Sequence, residues 1–260
     1  MWAAKLIDEN KISGFNPISL EEMGKVKLMN RIDTKFVTTV GQVEELLARA
    51  CDDYFIQQIE GSCDLPYYTC YYDTRDTDMF YQHQRGKKTR QKVRIRQYEA
   101  GEAPPFLEIK SKNNKGRTKK KRVAMEEGPI LNKYNDFLLA NSDYPCDILN
   151  PCIENHFYRI TLVNRDMTER ITIDTGLEFH NLQNDNRLSL DNIGIIEWKR
   201  DGQSPVSGLQ TILRDLRIGE SGFSKYCIGM AITDPSLRQN KIKKRLRYIQ
   251  KLSPFSITGK

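Results

Sequence analysis

The chain has 260 residues, of which 38% are hydrophobic and 29% charged, with 41 Lys and Arg against 34 Asp and Glu for a net charge of +7. That composition excludes a disordered chain, and no apolar run approaches the roughly 18 residues of a membrane span; the opening MWAAKLIDEN is too short and too soon charged for a signal peptide, so a cytoplasmic setting is expected. The six cysteines and three histidines show no zinc spacing, no H-E-x-x-H and no G-x-S-x-G, which leaves zinc or serine hydrolase chemistry without support and reads the cysteines as reduced thiols.

In chain order, Ser19-Leu20-Glu21-Glu22 matches a capping box and predicts a helix start before MGKVKLM. Gln42 to Ala50 follows, with Val43, Leu46, Leu47 and Ala50 on one helical stripe. Period-two segments come next: Tyr67 to Asp73, Lys92 to Tyr98 and Phe106 to Lys112. The run Lys119-Lys120-Lys121-Arg122 reads as a basic loop, and Asp136 to Ala140 as the core of a helix. Strands are predicted again at Phe157 to Val163, Thr168 to Asp174 and Ile195 to Lys199, and helices at Leu209 to Leu216 and near Leu237 to Leu252. The last of these is basic and reads as a solvated helix packing through Ile242, Leu246 and Ile249. Short links such as Asn164-Arg165-Asp166 favour antiparallel hairpins over βαβ crossovers. Without an internal repeat or a low-complexity linker, a single α+β domain over 1–260 is expected.

The charge is localised. From Arg85 to Arg122 there are fifteen Lys and Arg against three Glu, a local +12, so with the whole chain at +7 the remainder carries −5. Alternation sorts the strands into two columns. One holds Lys92, Arg94, Arg96; Glu108, Lys110, Lys112; Arg159, Thr161; Arg170, Thr172, Asp174; and Glu197, Lys199. The other holds Val93, Ile95, Leu107, Ile109, Tyr158, Ile160, Leu162, Ile171, Ile173, Ile196 and Trp198. So many like charges on one sheet face repel one another, and a polyanion relieves that repulsion. If the sheet curls into a barrel with its apolar column outward against helices, the cations line a tunnel suited to a chain of phosphates. Glu197 then suits a hard divalent ion such as Mg²⁺ or Mn²⁺, while Glu108 reads either as a second such ligand or as an ion-pair partner.

Six short motifs in order carry a resemblance: Y-Y-D-T (Tyr71 to Thr74), V-R-I-R-Q-Y, F-L-E-I-K, the arginines of F-Y-R and E-R-I-T-I-D-T, I-I-E-W-K, and F-S-K-Y (Phe223 to Tyr226). Together they resemble the VTC-type polyphosphate polymerase domain of the triphosphate tunnel metalloenzymes, in a stand-alone, bacterial-type form, over about Arg31 to Gly229. The resemblance implies an antiparallel β-barrel tunnel with flanking helices, Mn²⁺ or Mg²⁺ as cofactor, ATP and polyphosphate as substrates, and transfer of the ATP γ-phosphate onto a growing chain. It makes Lys35, Arg94, Arg96, Lys110, Arg159, Arg170 and Lys225 phosphate ligands and Glu197 the metal ligand, while Lys199 follows from strand alternation.

It also implies a membrane-protein partner, which would hold the protein at the inner face of a membrane. Three positions depart from the family pattern. E-x-E-x-K is replaced by Arg31-x-Asp33-x-Lys35, which favours one-metal transfer over two-metal hydrolysis; Phe157 stands where Tyr is frequent, and Gly222 where Lys is frequent. A tunnel triphosphatase and a non-catalytic polyanion binder remain the alternatives. Nucleic acid is not an expected partner, there being no RNP-like aromatic run, helix-turn-helix or zinc module.

Overall fold

The structure is a computed structural model that describes residues 4–24, 26, 31–115, 117–126, 130–201 and 207–255, with the backbone alone at Arg31. In chain order its elements are β1 (Asn16–Ile18), α1 (Leu20–Met23), β2 (Arg31–Thr39), α2 (Val40–Ala50), β3 (Tyr54–Gln57), β4 (Leu65–Asp73), α3 (Asp78–Gln84), β5 (Arg90–Tyr98), β6 (Phe106–Lys112), β7 (Thr118–Ala124), α4 (Asn135–Asn141), β8 (Asn150–Asn164), β9 (Glu169–Asn181), β10 (Arg187–Leu190), β11 (Ile193–Asp201), α5 (Gly208–Asp215), α6 (Lys225–Thr233) and α7 (Lys243–Leu252). One continuous sheet runs β2-β11-β9-β8-β4-β5-β6-β7, and every pairing along that path is antiparallel. The α+β antiparallel architecture expected from alternation is therefore present, as a strongly curled half-barrel whose end strands are β2 and β7.

The curl is legible in its electrostatics. Laid flat, β2 and β6 would stand about 29 Å apart. Yet Lys110 on β6 lies within electrostatic reach of Lys35 on β2 and Glu197 on β11, so the concave face folds these strands toward one another.

Burial drives that shape. On the convex side Ile160, Leu162, Ile171, Ile173, Ile196 and Trp198 pack against Val43, Leu46 and Leu47 of α2 and Leu209, Ile212 and Leu213 of α5. Removal of each such side chain from water contributes about 1.5–3 kcal/mol. Helix α2 is started by the Thr39 hydroxyl, which accepts from the Gln42 amide, and its i, i+3, i+4, i+7 stripe is the one read from the sequence. The expected capping box is formed by Ser19 and Glu22, on a single turn ending at Met23; most of the expected continuation, Lys25 and residues 27–29, lies outside the described residues.

The concave face is divided. A register shift between β8 and β9 at Phe157 ends the charged half, and beyond it Leu177, Phe179 and Ile153 present an apolar surface to α6. That helix is buried from Tyr226 to Thr233 and approaches so closely that a Cβ on Gly229 would stand 2.5 Å from Phe179 Cδ1 and 2.8 Å from Ile153 Cδ1, so only glycine fits. The buried Asp73 carboxylate at the end of β4 accepts from the Met79 and Phe80 amides of α3, each at 2.9 Å, and from the Tyr226 hydroxyl. Two of the six sequence motifs, Y-Y-D-T and F-S-K-Y, are thereby tied together by one carboxylate.

Several elements differ from expectation, among them strands β1, β2, β3 and β10, which alternation did not single out and of which β2 carries Lys35. Lys119 to Arg122, read as a loop, forms the core of strand β7, paired to β6 over its length. Helices α3 and α6 were not anticipated. No helix among the described residues is long and apolar enough to cross a membrane.

Candidate active site

The cross-strand register brings the predicted site residues onto one surface. On β5, Arg94 faces Glu108 of β6, and Lys92 faces Lys110. On β8 and β9, Arg159 faces Asp174; on β11, Glu197 faces Lys35 of β2, and Lys199 faces Arg170 of β9. Lys225 arrives from a different direction, as the first residue of α6. All nine named residues, Lys35, Arg94, Arg96, Lys110, Arg159, Arg170, Glu197, Lys199 and Lys225, thus serve the same concave half.

Three carboxylates hold these cations in place. Glu108 is fully buried: its Oε2 accepts from Arg94 Nε at 2.8 Å and Nη2 at 2.5 Å, and its Oε1 from Lys120 Nζ at 2.7 Å. Burial by itself would raise its pKa, but Arg94, Arg96 and Lys120 outweigh this and hold it down at about 2. Of the two readings open for Glu108, the ion-pair partner is the one the geometry supports, since both oxygens are engaged. Asp174 accepts from Arg159 Nε at 2.6 Å and Nη2 at 2.8 Å, and from Lys225 Nζ. Burial opposes its ionisation, yet Arg159 and Lys225 keep its pKa well below the carboxylate range.

Glu197 pairs with Lys199 Nζ at 3.0 Å. Burial again works against the charge, and Lys35, Lys199 and Arg159 hold the carboxyl far below its usual range, so it is ionised at neutral pH. Among the described residues no three His, Cys, Asp or Glu side chains converge. The ionised Glu197 carboxylate is an oxygen donor of the kind Mg²⁺ or Mn²⁺ takes, and phosphate oxygens and water would have to complete the shell of an ion held there.

The cations are crowded enough to perturb one another. Arg94 beside it, then burial, draws the Lys110 pKa down to about 6. Burial, with Arg159 and Lys35 nearby, lowers Lys225 to about 7 in spite of Asp174. Arg96 donates to Thr69 Oγ1 at 3.3 Å and is lowered to about 10 by burial and by Arg94 and Arg159. Lys35 Nζ donates to the Phe223 carbonyl at 3.3 Å, and Arg170 Nη2 to the Met23 carbonyl at 3.3 Å.

An aromatic floor lies beneath this cluster. Phe157 stacks on Tyr67 at 5.3 Å, with Lys225 Nζ 4.0 Å, Arg159 5.3 Å and Arg96 6.0 Å from its centroid. The ring's π-face is what these cations meet, so the absence of a hydroxyl at position 157 leaves that contact intact.

Sequence reading assigned no role to Asp174, Lys92 or Lys120. Lys92 donates to Ser224 Oγ at 2.8 Å, fixing the N-cap of α6. Alternation had placed Asp174 and Lys92 on the correct face, whereas Lys120 was hidden by the loop assignment.

A family model described as VTC domain matches residues 30–233. No curated protein matches the chain. Among solved structures, the PH1819 protein of Pyrococcus horikoshii OT3 aligns over 86% of this chain and 93% of its own, with 13% identity and a TM-score of 0.37.

Proposed function

The chain belongs to the VTC domain family, and on that premise we propose that it is a metal-dependent polyphosphate polymerase that transfers the ATP γ-phosphate onto inorganic polyphosphate and releases ADP. One observation carries the reading: cations from separate elements converge, Arg96 of β5, Arg159 of β8 and Lys225 of α6 around the Phe157 ring, with Lys35 of β2 donating to the Phe223 carbonyl just before Lys225. A row of fixed positive charge across a groove is matched by a linear chain of phosphates better than by a compact anion.

Catalysis in such a site is positioning and charge neutralisation. Arg94, Arg96, Lys110 and Arg159 bind the phosphates, with the guanidinium forks fixed by Glu108 and Asp174. Lys35, Arg170, Lys199 and Lys225 complete the cationic surround. The terminal oxygen of the bound chain attacks the γ-phosphorus; the bond from that phosphorus to the β,γ-bridging oxygen breaks, and ADP carries away the electron pair. Glu197 would hold the divalent ion, which supplies Lewis-acid neutralisation of phosphate charge. No protein nucleophile is required. A single metal-binding carboxylate favours transfer over two-metal hydrolysis. The membrane partner that the resemblance implies is part of this proposal.

The test is incubation of the protein with ATP and Mn²⁺ or Mg²⁺, with and without a short polyphosphate primer, resolving polymer, ADP and orthophosphate. Polymer with matching ADP is expected. Orthophosphate without polymer would make the protein a tunnel triphosphatase, and no turnover a binding protein.

A pH dependence follows from Lys110. With its pKa lowered from 10.5 to about 6, the folded protein binds fewer protons than the unfolded chain between those values, so this residue makes stability rise with pH across that window. A bound polyanion restores the charge. Binding at about pH 8 should take up protons, and affinity should weaken as pH rises above about 6. Calorimetry of triphosphate binding in two buffers of different protonation enthalpy measures the uptake; Lys110→Arg, which keeps its charge, should reduce it.

A further inference from the structure

Toward the far ends of β5 and β6, a second set of cations makes no salt bridge among the described residues. Arg90, Lys92 and Lys112 at the ends of β5 and β6, and Arg245 of α7, all bear on His83 of α3, whose pKa is drawn down to about 3 by burial and by these four charges. His83 Nδ1 is buried and has no hydrogen-bond partner among the described residues. Arg245 reaches this place across Gly222, where a Cβ would stand 3.1 Å from its Nη2 and 3.3 Å from its Cζ. Any side chain at 222 would compete for the volume the guanidinium occupies.

Arg90 and Lys112, directly opposite in register, also line a cavity of about 590 Å³ at this end of β5 and β6, with Lys87 and Lys119 on its other walls. Two carboxylates face the same cavity, and one of them, Asp78, is taken up by Gln82 at 2.5 Å and Tyr144 at 2.6 Å. The line of charge therefore does not end where α6 covers the concave face. It turns past the α6 N-terminus, from Lys110 to Lys92, then to Arg90 and Lys112, and opens into this cavity.

We propose that the cavity, with Lys87, Arg90, Lys112 and Lys119 on its walls, is a second phosphate-binding subsite that takes the distal part of a long inorganic polyphosphate whose reacting end lies on the concave face. This inference rests on the polyphosphate reading of the concave site. The subsite recognises extended phosphate chains and not the nucleotide, and it gives the protein a preference for long chains over short ones.

The experiment compares the affinities of triphosphate and long-chain polyphosphate for the full chain, for Lys87→Gln and for Lys119→Gln, by calorimetry at one fixed ionic strength. Both residues are exposed, so the variants fold. The wild-type protein should bind the long chain more tightly, and each variant should lower long-chain affinity by at least about fivefold more than triphosphate affinity. Lys119→Arg, which keeps the charge, should retain most of the long-chain affinity. Equal losses for the two ligands would place these residues in the concave site and overturn the inference, as would variants that bind the long chain as well as wild type. A wild-type protein that binds neither ligand would remove the polyphosphate reading and this subsite with it.

Discussion

Asp174→Asn is expected to destabilise the protein by about 3–5 kcal/mol and to abolish phosphate transfer. The carboxylate holds Arg159 through two hydrogen bonds, at 2.6 and 2.8 Å, and also binds Lys225, and its side chain is 5% exposed. An amide of the same shape leaves two buried cations facing each other, and breaking a buried pair by removing one partner costs this much because the survivor is uncompensated. Equilibrium denaturation measures the loss. Adding Lys225→Met should then recover part of it, since the second change removes one of the stranded charges; additive losses in that double-mutant cycle would show that the three groups do not act together. Triphosphate should also stabilise Asp174→Asn, its oxygens accepting the donors that the carboxylate released. A loss below about 1 kcal/mol would mean that Asp174 does not organise the site.

The second large effect is expected at Glu197. Glu197→Gln should lower metal-dependent turnover by at least about a thousandfold, the scale set by losing Lewis-acid stabilisation worth several kcal/mol. The same variant should bind triphosphate in the presence of a chelator as tightly as wild type or more so, because a negative charge has left a surface occupied by Lys35, Lys199 and Arg159. Loss of turnover with retained binding separates a metal ligand from a residue that merely anchors Lys199. Full activity in Glu197→Gln would remove it from the mechanism, and equal loss of binding and turnover would assign it to the structure of the groove.

Much of this is legible in the sequence. The alternation of Lys92, Arg94 and Arg96 with Val93 and Ile95 set the two faces of β5, and the same rule placed Glu197 and Lys199 together on β11. What escaped has physical causes. Helix α6 is buried from Tyr226 to Thr233, so it carries no polar stripe to betray a helical period, and it contains Gly229 for reasons of packing alone. Strand β7 alternates nothing, since Thr118 to Arg122 are all exposed, and a run of lysines looks the same in a strand as in a loop. Helix α3 has seven residues, too few for two full turns of pattern. The role of Glu108 depended on Lys120, and so on the strand that was missed.

That strand has a further consequence. Strand β7 ends the sheet, and a sheet's last strand exposes backbone donors and acceptors to which another chain can add. Four consecutive cations, Lys119 to Arg122, make two such borders repel each other electrostatically, so the half-barrel is kept from zipping onto a neighbouring copy. The protection is colloidal and conditional: high salt weakens it, and so does a polyanion that neutralises the strand, so solutions of the protein should be least dispersed near the ratio at which added polyphosphate just cancels its charge.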